Sequence, residues 1–458
     1  MTMRKKNWRT KTTCVILFVL VLAFQIKYSS IVRSKLTHAH KKANPVPEIK
    51  QLEVTELESN PSEQSPPTKR QISCDRSHYH YDICTIHVAT VLDPTISTFF
   101  IQHRTTVDPN PTAMKIRPYP RKFDSIAMSR IKELTITSGA PIPSCHVMHE
   151  SPAMVFSAGG YTGNFFHEFN DGFIPLFITL NSLFHRQDDG DVVLVISKAR
   201  DWWVSKYANL LGQFSKHPIV DLDNDNATHC FPSATLGLVS HGFMTIKPEL
   251  IPNSKSLHHF HAFLSKAYDA NNVPFNSPPQ NARPRLVLVN RSSGDGRLLL
   301  NLEEVKLEIE RVGFDVVMFE PKPSTPLDKA FALIGSSHAM VGIHGAALTH
   351  LLFLKPGSLF IQVVPLGLEL VAELCFGNPA RGMGLDYREY KIRVEESSLI
   401  EKYSKEDMMI KDPVAFLSGK PWSKSTMDIY LKEQNVRLDL VRFRKYLKKA
   451  YNKARLFI

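Results

Sequence analysis

The chain has 458 residues, 43% hydrophobic and 22% charged, enough for two ordinary globular domains of about 100–200 residues each. Its formal charge of +12 suggests a polyanion partner until it is mapped: residues 1–42 carry ten of the 56 Lys and Arg and no Asp or Glu, leaving 46 basic against 44 acidic residues beyond them. The folded part is nearly neutral, which argues against nucleic acid as a partner.

Residues 1–11 read as a cytosolic tail, with Arg4, Lys5, Lys6, Arg9 and Lys11 ahead of the apolar run TTCVILFVLVLAFQI. That charge order keeps the amino terminus cytosolic, and residues 12–28 are predicted to form a signal-anchor transmembrane helix. The run is short for a span of about 20 residues and suits a thin membrane. A cleaved signal peptide is the alternative, but no small-x-small site follows, and Gln25, Lys27 and Tyr28 read as an interfacial end. Residues 29–73 are a predicted disordered stem; the stretch 43–73 holds five prolines and no aromatic residue, too little to bury. Beyond the anchor, an oxidising compartment makes disulfides available to Cys74, Cys84, Cys145, Cys230 and Cys375. Cys74 with Cys84 is the expected local bridge, and one thiol is left over. Asn226-Ala-Thr, in the polar loop VDLDNDNATHC, is the expected glycosylation site.

From residue 85 to 158 short β-like runs (TIHVATVL, STFFIQ, ELTITS, AMVFSA) alternate with Pro-rich punctuation. From Asn164 onward strand and helix alternate: helix NFFHEFNDG, strand DVVLVIS, a helix after Asp201, strand PIVDL and helix KSLHHFHAFLSKAY. A Pro/Asn-rich hinge, 271–284, precedes a second alternating unit running from strand RLVLVN to strand SLFIQVV. The pattern predicts an α/β chain of two parallel-sheet lobes with a cleft between them, an amino-terminal lobe over 74–280 and a carboxy-terminal lobe over 281–435. Residues 436–458 are predicted to be a terminal helix packing Leu440, Phe443, Leu447 and Tyr451 inward, with a membrane-surface helix as the alternative. No internal repeat is present.

Two stretches carry candidate chemistry. In 341-VGIHGAALTHLLFLKPGSLFIQVVP-365, a small-residue turn sits between a strand and a helix start. Such a turn offers free N–H groups and a positive dipole end to an anion at the carboxyl edge of a parallel sheet. Gly342, His344, Gly345, Ala346 and Ala347 are its candidate ligand contacts; a tight turn with a core histidine is the plain alternative. No Walker lysine or Rossmann acid accompanies them. Arg291 projects from the same edge, with Arg297 a second candidate, and arginine binds phosphate in a bidentate manner. In 159-GGYTGNFFHEFNDGFIPLF-177, helical spacing places Asn164, His167, Glu168 and Asp171 on one polar stripe. Asp171 is the candidate general base and His167 its positioning partner. The segment is not H-E-x-x-H, and G-x-S-x-G and C-x-x-C are absent. Asp221-Leu-Asp223-Asn-Asp225 lacks the EF-hand glycine and glutamate, and His258, His259 and His261 lack a ligand cluster. No metal site is expected.

GGYTGNFFHEFNDGFIPLF, DWWVSKY, RLVLVNR and GIHGAALTHLLFLKPGSLFIQVVPLGLE together resemble the plant branch of glycosyltransferase family 61, over roughly residues 74–456. The resemblance implies a type II Golgi membrane protein with a luminal GT-B fold: two Rossmann-like lobes and a metal-independent, inverting transfer from a nucleotide sugar. Carried over by position, Asp171 would deprotonate the acceptor hydroxyl, while Gly342 to Ala346 and Arg291 would hold the diphosphate. Gln362 departs from the wider family, where an acid could bind the ribose; Glu369 is another candidate for that contact. The implied donor is UDP-arabinofuranose or UDP-xylose, the acceptor a xylose unit of xylan, with other Golgi transferases as candidate complex members. A glycoprotein xylosyl- or N-acetylglucosaminyltransferase and a non-catalytic subunit remain alternatives, the latter opposed by retention of Asp171 and the GIHGA turn.

Overall fold

The computed structural model describes residues 71–101, 112–184, 191–268, 283–291, 296–418 and 424–457. The predicted tail, anchor and nearly all of the stem, and most of the predicted hinge with the lobe boundary at 280/281, lie outside these residues. The stem's last residues differ from expectation: a strand already begins at Ile72. Among the described residues no helix is long and apolar enough to cross a membrane.

The carboxy-terminal sheet has five strands, all parallel, in the order Asp315–Phe319, Arg285–Val289, Ala339–Ile343, Leu359–Val364, Asp386–Lys391. Its central strands are near-continuous apolar runs because both faces are covered. Leu286 and Leu288 face one core with Val341, Ile361 and Val363, against helices Leu302–Val312 and Leu440–Ala454. Val287, Met340 and Phe360 face the largest core of the molecule. The terminal helix is capped by Asp439, which accepts from the N–H groups of Val441 and Arg442, and buries Phe443, Leu447 and Ala450. It is therefore a packed helix, as the apolar stripe predicts.

The amino-terminal half departs from a simple parallel lobe. A six-stranded sheet runs Ile72–Asp75, Ile83–Ile86, Ala234–Leu236, Ala153–Ser157, Val193–Ser197, Val220–Asp221. The last four strands are parallel; the first two join antiparallel, because the short connection between them permits a hairpin and not a helical crossover. A second six-stranded mixed sheet, which includes Thr98–Ile101 and Leu134–Ser138, packs Phe99, Ile101, Leu134 and Ile136 against Val155 and Val195 of the first. The other face of the first sheet, with Met154, Phe156, Leu194 and Ile196, enters the core shared with the carboxy-terminal sheet. Helices Ile174–Leu183, Asp201–Phe214 and Leu257–Tyr268 fill that layer, so residues of both halves form one apolar interior.

Two disulfides form. Cys74–Cys84 is the expected local bridge, across paired strands; Cys145–Cys230 spans 85 positions and was not legible from spacing. Cys375 is the remaining buried thiol. Asn226 is exposed in its loop, open to a glycan.

Candidate active site

The five-strand order reverses between Arg285–Val289 and Ala339–Ile343, so the carboxyl ends of those two strands flank the crevice of the sheet. Arg291 leaves the first strand there, and His344 and Gly345 leave the second. Gly345 is extended, and a Cβ on it would lie 3.4 Å from Nη2 of Arg291 and 3.5 Å from Nη1 of Arg297. Two guanidinium groups therefore converge on one turn. Arg297 sits in the left-handed region (φ 59°), and its N–H is held by Gln434 O. Nη1 donates to the His344 carbonyl at 3.3 Å, while its buried Nε has no hydrogen-bond partner among the described residues. Burial and the charge of Arg291 push its pKa down to about 10. Two guanidinium groups brought to one turn suit an anion, which they can bind through several N–H groups at once.

The expected helix after the turn is a tight 3-10 helix, Ala346–Phe353. Leu348, Leu351 and Leu354 recur every third residue and are fully buried, a spacing that suits three residues per turn. Its first N–H groups, on Ala346 and Ala347, have no intrahelical acceptor and open toward the turn. Gly342 serves a different purpose: a Cβ there would stand 2.8 Å from Leu348 and 2.9 Å from Val289, so it allows strand–helix packing. His344 is buried, and burial followed by the charges of Arg297 and Arg291 lowers its pKa to about 3. Tyr387 donates to Gln362 Oε1 at 2.7 Å and Gln362 Nε2 lies 2.9 Å from His344 Nδ1. The amide thus donates to Nδ1 and leaves the ring proton of a neutral histidine on Nε2. Gln362 is fully buried in this relay, which corrects the expectation of a ribose contact. Glu369, partly buried at the start of helix Glu369–Ala372, is a carboxylate beyond the same strand, its pKa raised chiefly by burial.

The second motif begins with Asn164, whose side chain caps the helix by accepting from Phe166 N at 3.0 Å. The predicted α-helix widens into a π-helical turn over Glu168–Phe173. Pro175, which has no N–H, cannot close an α-helical bond to residue 171, and a widened turn accommodates the loss. The four polar residues consequently do not share one stripe. Glu168 turns inward, accepting from Gly163 N at 2.7 Å and Trp203 Nε1 at 2.6 Å. Asp171 is 1% exposed. Arg121 Nε lies 2.9 Å from both carboxylate oxygens; Tyr119 OH donates at 3.0 Å, Asn170 Nδ2 at 2.5 Å, and His167 Nδ1 stands at 2.8 Å. Burial raises its pKa, but the His167 bond and the Arg121 charge outweigh that and lower it. Asp171 is therefore an ionised, saturated carboxylate. About a fifth of the His167 side chain is exposed (19%), so His167 is the member of the pair that reaches solvent.

The two motifs meet. The Phe165 ring stacks on His350 at 4.2 Å, and Phe376 stands edge-on to Phe166 at 5.6 Å and to His344 at 5.2 Å. Cys375, its thiol pushed up to about 12 by burial, lies within the fields of Arg121 and Asp171. Tyr119, Arg121, Tyr387 and Phe376 were not legible as site residues; Tyr119 and Arg121 lie in the basic, Pro-flanked stretch RPYPRKFD, which names no partner for them. Among the described residues no group of three or more His, Cys, Asp or Glu is placed to hold a metal ion. In the Asp221–Asp225 loop, Asp223 accepts from Lys198 N and pairs with Lys132, and Asp221 accepts from Asp223 N.

Residues 161–361 match the Glycosyltransferase 61 family model, a span that holds both motifs. The chain is 39% identical over 428 residues to the xylan glycosyltransferase MUCI21 of Arabidopsis thaliana, covering 89% of this chain and 84% of that protein. It is 36% identical to the beta-1,2-xylosyltransferase XYXT1 of Oryza sativa subsp. japonica, over 83% of each chain. It is 35% identical to the rice alpha-1,3-arabinosyltransferase XAT3, over 82% of this chain and 64% of that one. Identity at this level along most of both chains, with the paired motifs in place, means that the chain belongs to glycosyltransferase family 61 and is a glycosyltransferase.

Proposed function

We propose that the chain transfers a pentose from a UDP-sugar to a xylose unit of xylan, with inversion, in the lumen of the Golgi. The observation that carries the reading is the convergence of Arg291 and Arg297 on Gly345 at the sheet crevice, with His167 and Asp171 reached from it through Phe376 and Phe166. Relatives named as xylan glycosyltransferase, xylosyltransferase and arabinosyltransferase support the substrate class.

The two arginines, the Nε2 proton of His344 and the N–H groups of Ala346 and Ala347 hold the diphosphate and stabilise the charge that develops as it leaves, without a metal ion. His167 takes the proton of the acceptor hydroxyl as its oxygen forms a bond to the anomeric carbon and the bond to UDP breaks. Asp171 orients His167 and stabilises the imidazolium, in place of the direct base role expected from the sequence, because its oxygens are already occupied. The two halves work as a GT-B pair, and Glu369 is the acid available to the ribose. Two disulfides fit the luminal compartment that the predicted signal anchor implies. The donor is UDP-arabinofuranose or UDP-xylose, since relatives named for each pentose match.

The test is transfer by the secreted luminal portion to xylo-oligosaccharide from UDP-arabinofuranose or UDP-xylose with EDTA present, read as product mass. A single added pentose is expected from one donor. UDP binding without transfer from either donor would overturn the proposal.

A further inference from the structure

The Cys74–Cys84 bridge closes a segment carrying four consecutive rings, His78-Tyr79-His80-Tyr81, beside the Asp171 constellation. The segment is anchored to residues 119–124: Lys122 N donates to His80 O at 2.9 Å, and Lys122 Nζ donates to Arg76 O and pairs with Asp82, both at 2.7 Å. Phe123, the next residue, stacks on Tyr79 with centroids 5.3 Å apart and planes within 5°, and His80 meets it edge-on. The Arg121 guanidinium, 5.8 Å from the Phe123 centroid, is the group that holds Asp171.

The loop half-buries His78, His80 and Tyr81 and leaves the Tyr79 ring, with Phe123 beside it, open to water. Tyr79 is 70% exposed and Phe123 39%. Neither gains from folding what an aromatic ring ordinarily gains, yet a disulfide, an ion pair and ring stacking fix them in place. Fixing a surface in advance lowers the cost of binding something to it. The ring faces of a pyranose present C–H groups and its edges present hydroxyls, so an aromatic face rimmed by imidazole, phenol and ammonium groups matches a sugar on both counts. A polymeric acceptor also extends past the unit being modified, which a nucleotide sugar does not.

We propose that the 78–81 loop and Phe123 form an acceptor subsite that stacks the β-1,4-linked xylopyranose backbone, some units away from the reacting sugar. The proposal rests on the xylan reading above and assigns the side of the site along which the chain runs.

Tyr79→Ala, Phe123→Ala and Tyr79→Phe in the luminal protein test it with acceptors from xylobiose to xylohexaose. The wild type should gain in kcat/KM with length. Tyr79→Ala and Phe123→Ala should reduce that gain about tenfold, through KM for the long acceptor and not kcat, and Tyr79→Phe should retain it. An unchanged length dependence, or an equal loss with xylobiose and xylohexaose, overturns the subsite alone. A wild type that neither binds nor glycosylates xylohexaose overturns the xylan reading and the subsite with it. A wild-type dimer that Tyr79→Ala converts to monomers, by sedimentation, shows that a second copy covers the rings and overturns the subsite.

Discussion

Arg121 Nε lies 2.9 Å from both oxygens of Asp171, a pairing made across fifty positions of sequence and closed by Tyr119 and His167. The carboxylate is at once the anchor of a buried charge network and the neighbour of the histidine that reaches solvent. These two roles separate in mutants. His167→Ala leaves the buried pair intact and should lower kcat by about 10²–10⁴-fold with little loss of stability. Asp171→Asn leaves Arg121 buried without its counter-charge, so it should also destabilise the fold, by about 3 kcal/mol. The double variant should be scarcely slower than the slower single one, as for residues acting through one proton transfer. Independent, multiplying losses in kcat would refute the dyad.

Arg297 makes a contrasting prediction, because its position is costly to the unliganded fold. It is buried beside Arg291 with an unpartnered Nε, and both cations face Gly345. Arg297→Ala should leave the melting temperature of the free protein unchanged or higher, while UDP affinity falls about 10–100-fold. Calorimetric titration at two salt concentrations checks both parts, since loss of a phosphate contact also flattens the salt dependence. Destabilisation with UDP affinity retained would mean that Arg297 only supports the turn.

The sequence made the carboxy-terminal sheet legible because its strands are apolar runs separated by amphipathic helices, each signal lying within a few residues. The GIHGAA turn followed from its place at a strand end. What could not be read was non-local. Arg121 is far from the HEFND motif it completes, and nothing in RPYPRKFD declares a partner. Helical spacing placed Glu168 beside Asp171, but the π-turn ahead of Pro175 rotates it to Trp203. Gln362 was weighed as a ribose contact only because the wider family carries an acid at that place, whereas register sets it between His344 and Tyr387. The antiparallel pairing of Ile72–Asp75 with Ile83–Ile86 arises where the connection is too short for a helix, and that of Ile83–Ile86 with Ala234–Leu236 joins distant segments, features that reading strand by strand passes over.

The Tyr387–Gln362–His344 relay should be separable from diphosphate binding by the two arginines. Gln362→Leu keeps the volume but leaves Tyr387 OH and His344 Nδ1 without their partners, costing about 1–3 kcal/mol in stability. With its tautomer released, His344 no longer presents a fixed Nε2 proton, and UDP affinity should fall severalfold. Tyr387→Phe removes the outer bond and should give a smaller effect in the same direction. Urea unfolding with UDP titration measures both; a Gln362→Leu protein as stable as wild type with unaltered UDP affinity would show that the relay has no role.

The buried histidines also set a pH limit on the fold. Burial, the largest influence on each, lowers the pKa of His344 to about 3 and that of His350 to about 4, against about 6.5 in an unfolded chain. Between those values the unfolded chain binds protons that the folded one does not, so stability rises with pH through this window and levels off above it. Each group contributes a slope approaching about 1.4 kcal/mol per pH unit below pH 6.5. Asp171, whose pKa is lowered, acts in the same direction at more acidic pH, while Glu168, whose pKa is raised by burial, opposes it near its own titration. Urea unfolding at pH 7.5, 6.5, 5.5 and 4.5 should show a plateau followed by a loss steeper than one proton. His350→Gln should lower the slope by about one proton per molecule, because a glutamine there does not titrate. A slope identical to that of the wild type would mean that His350 is not held neutral, and the stacking of Phe165 on its ring would then join the two motifs as a cation–aromatic contact and not as a neutral one.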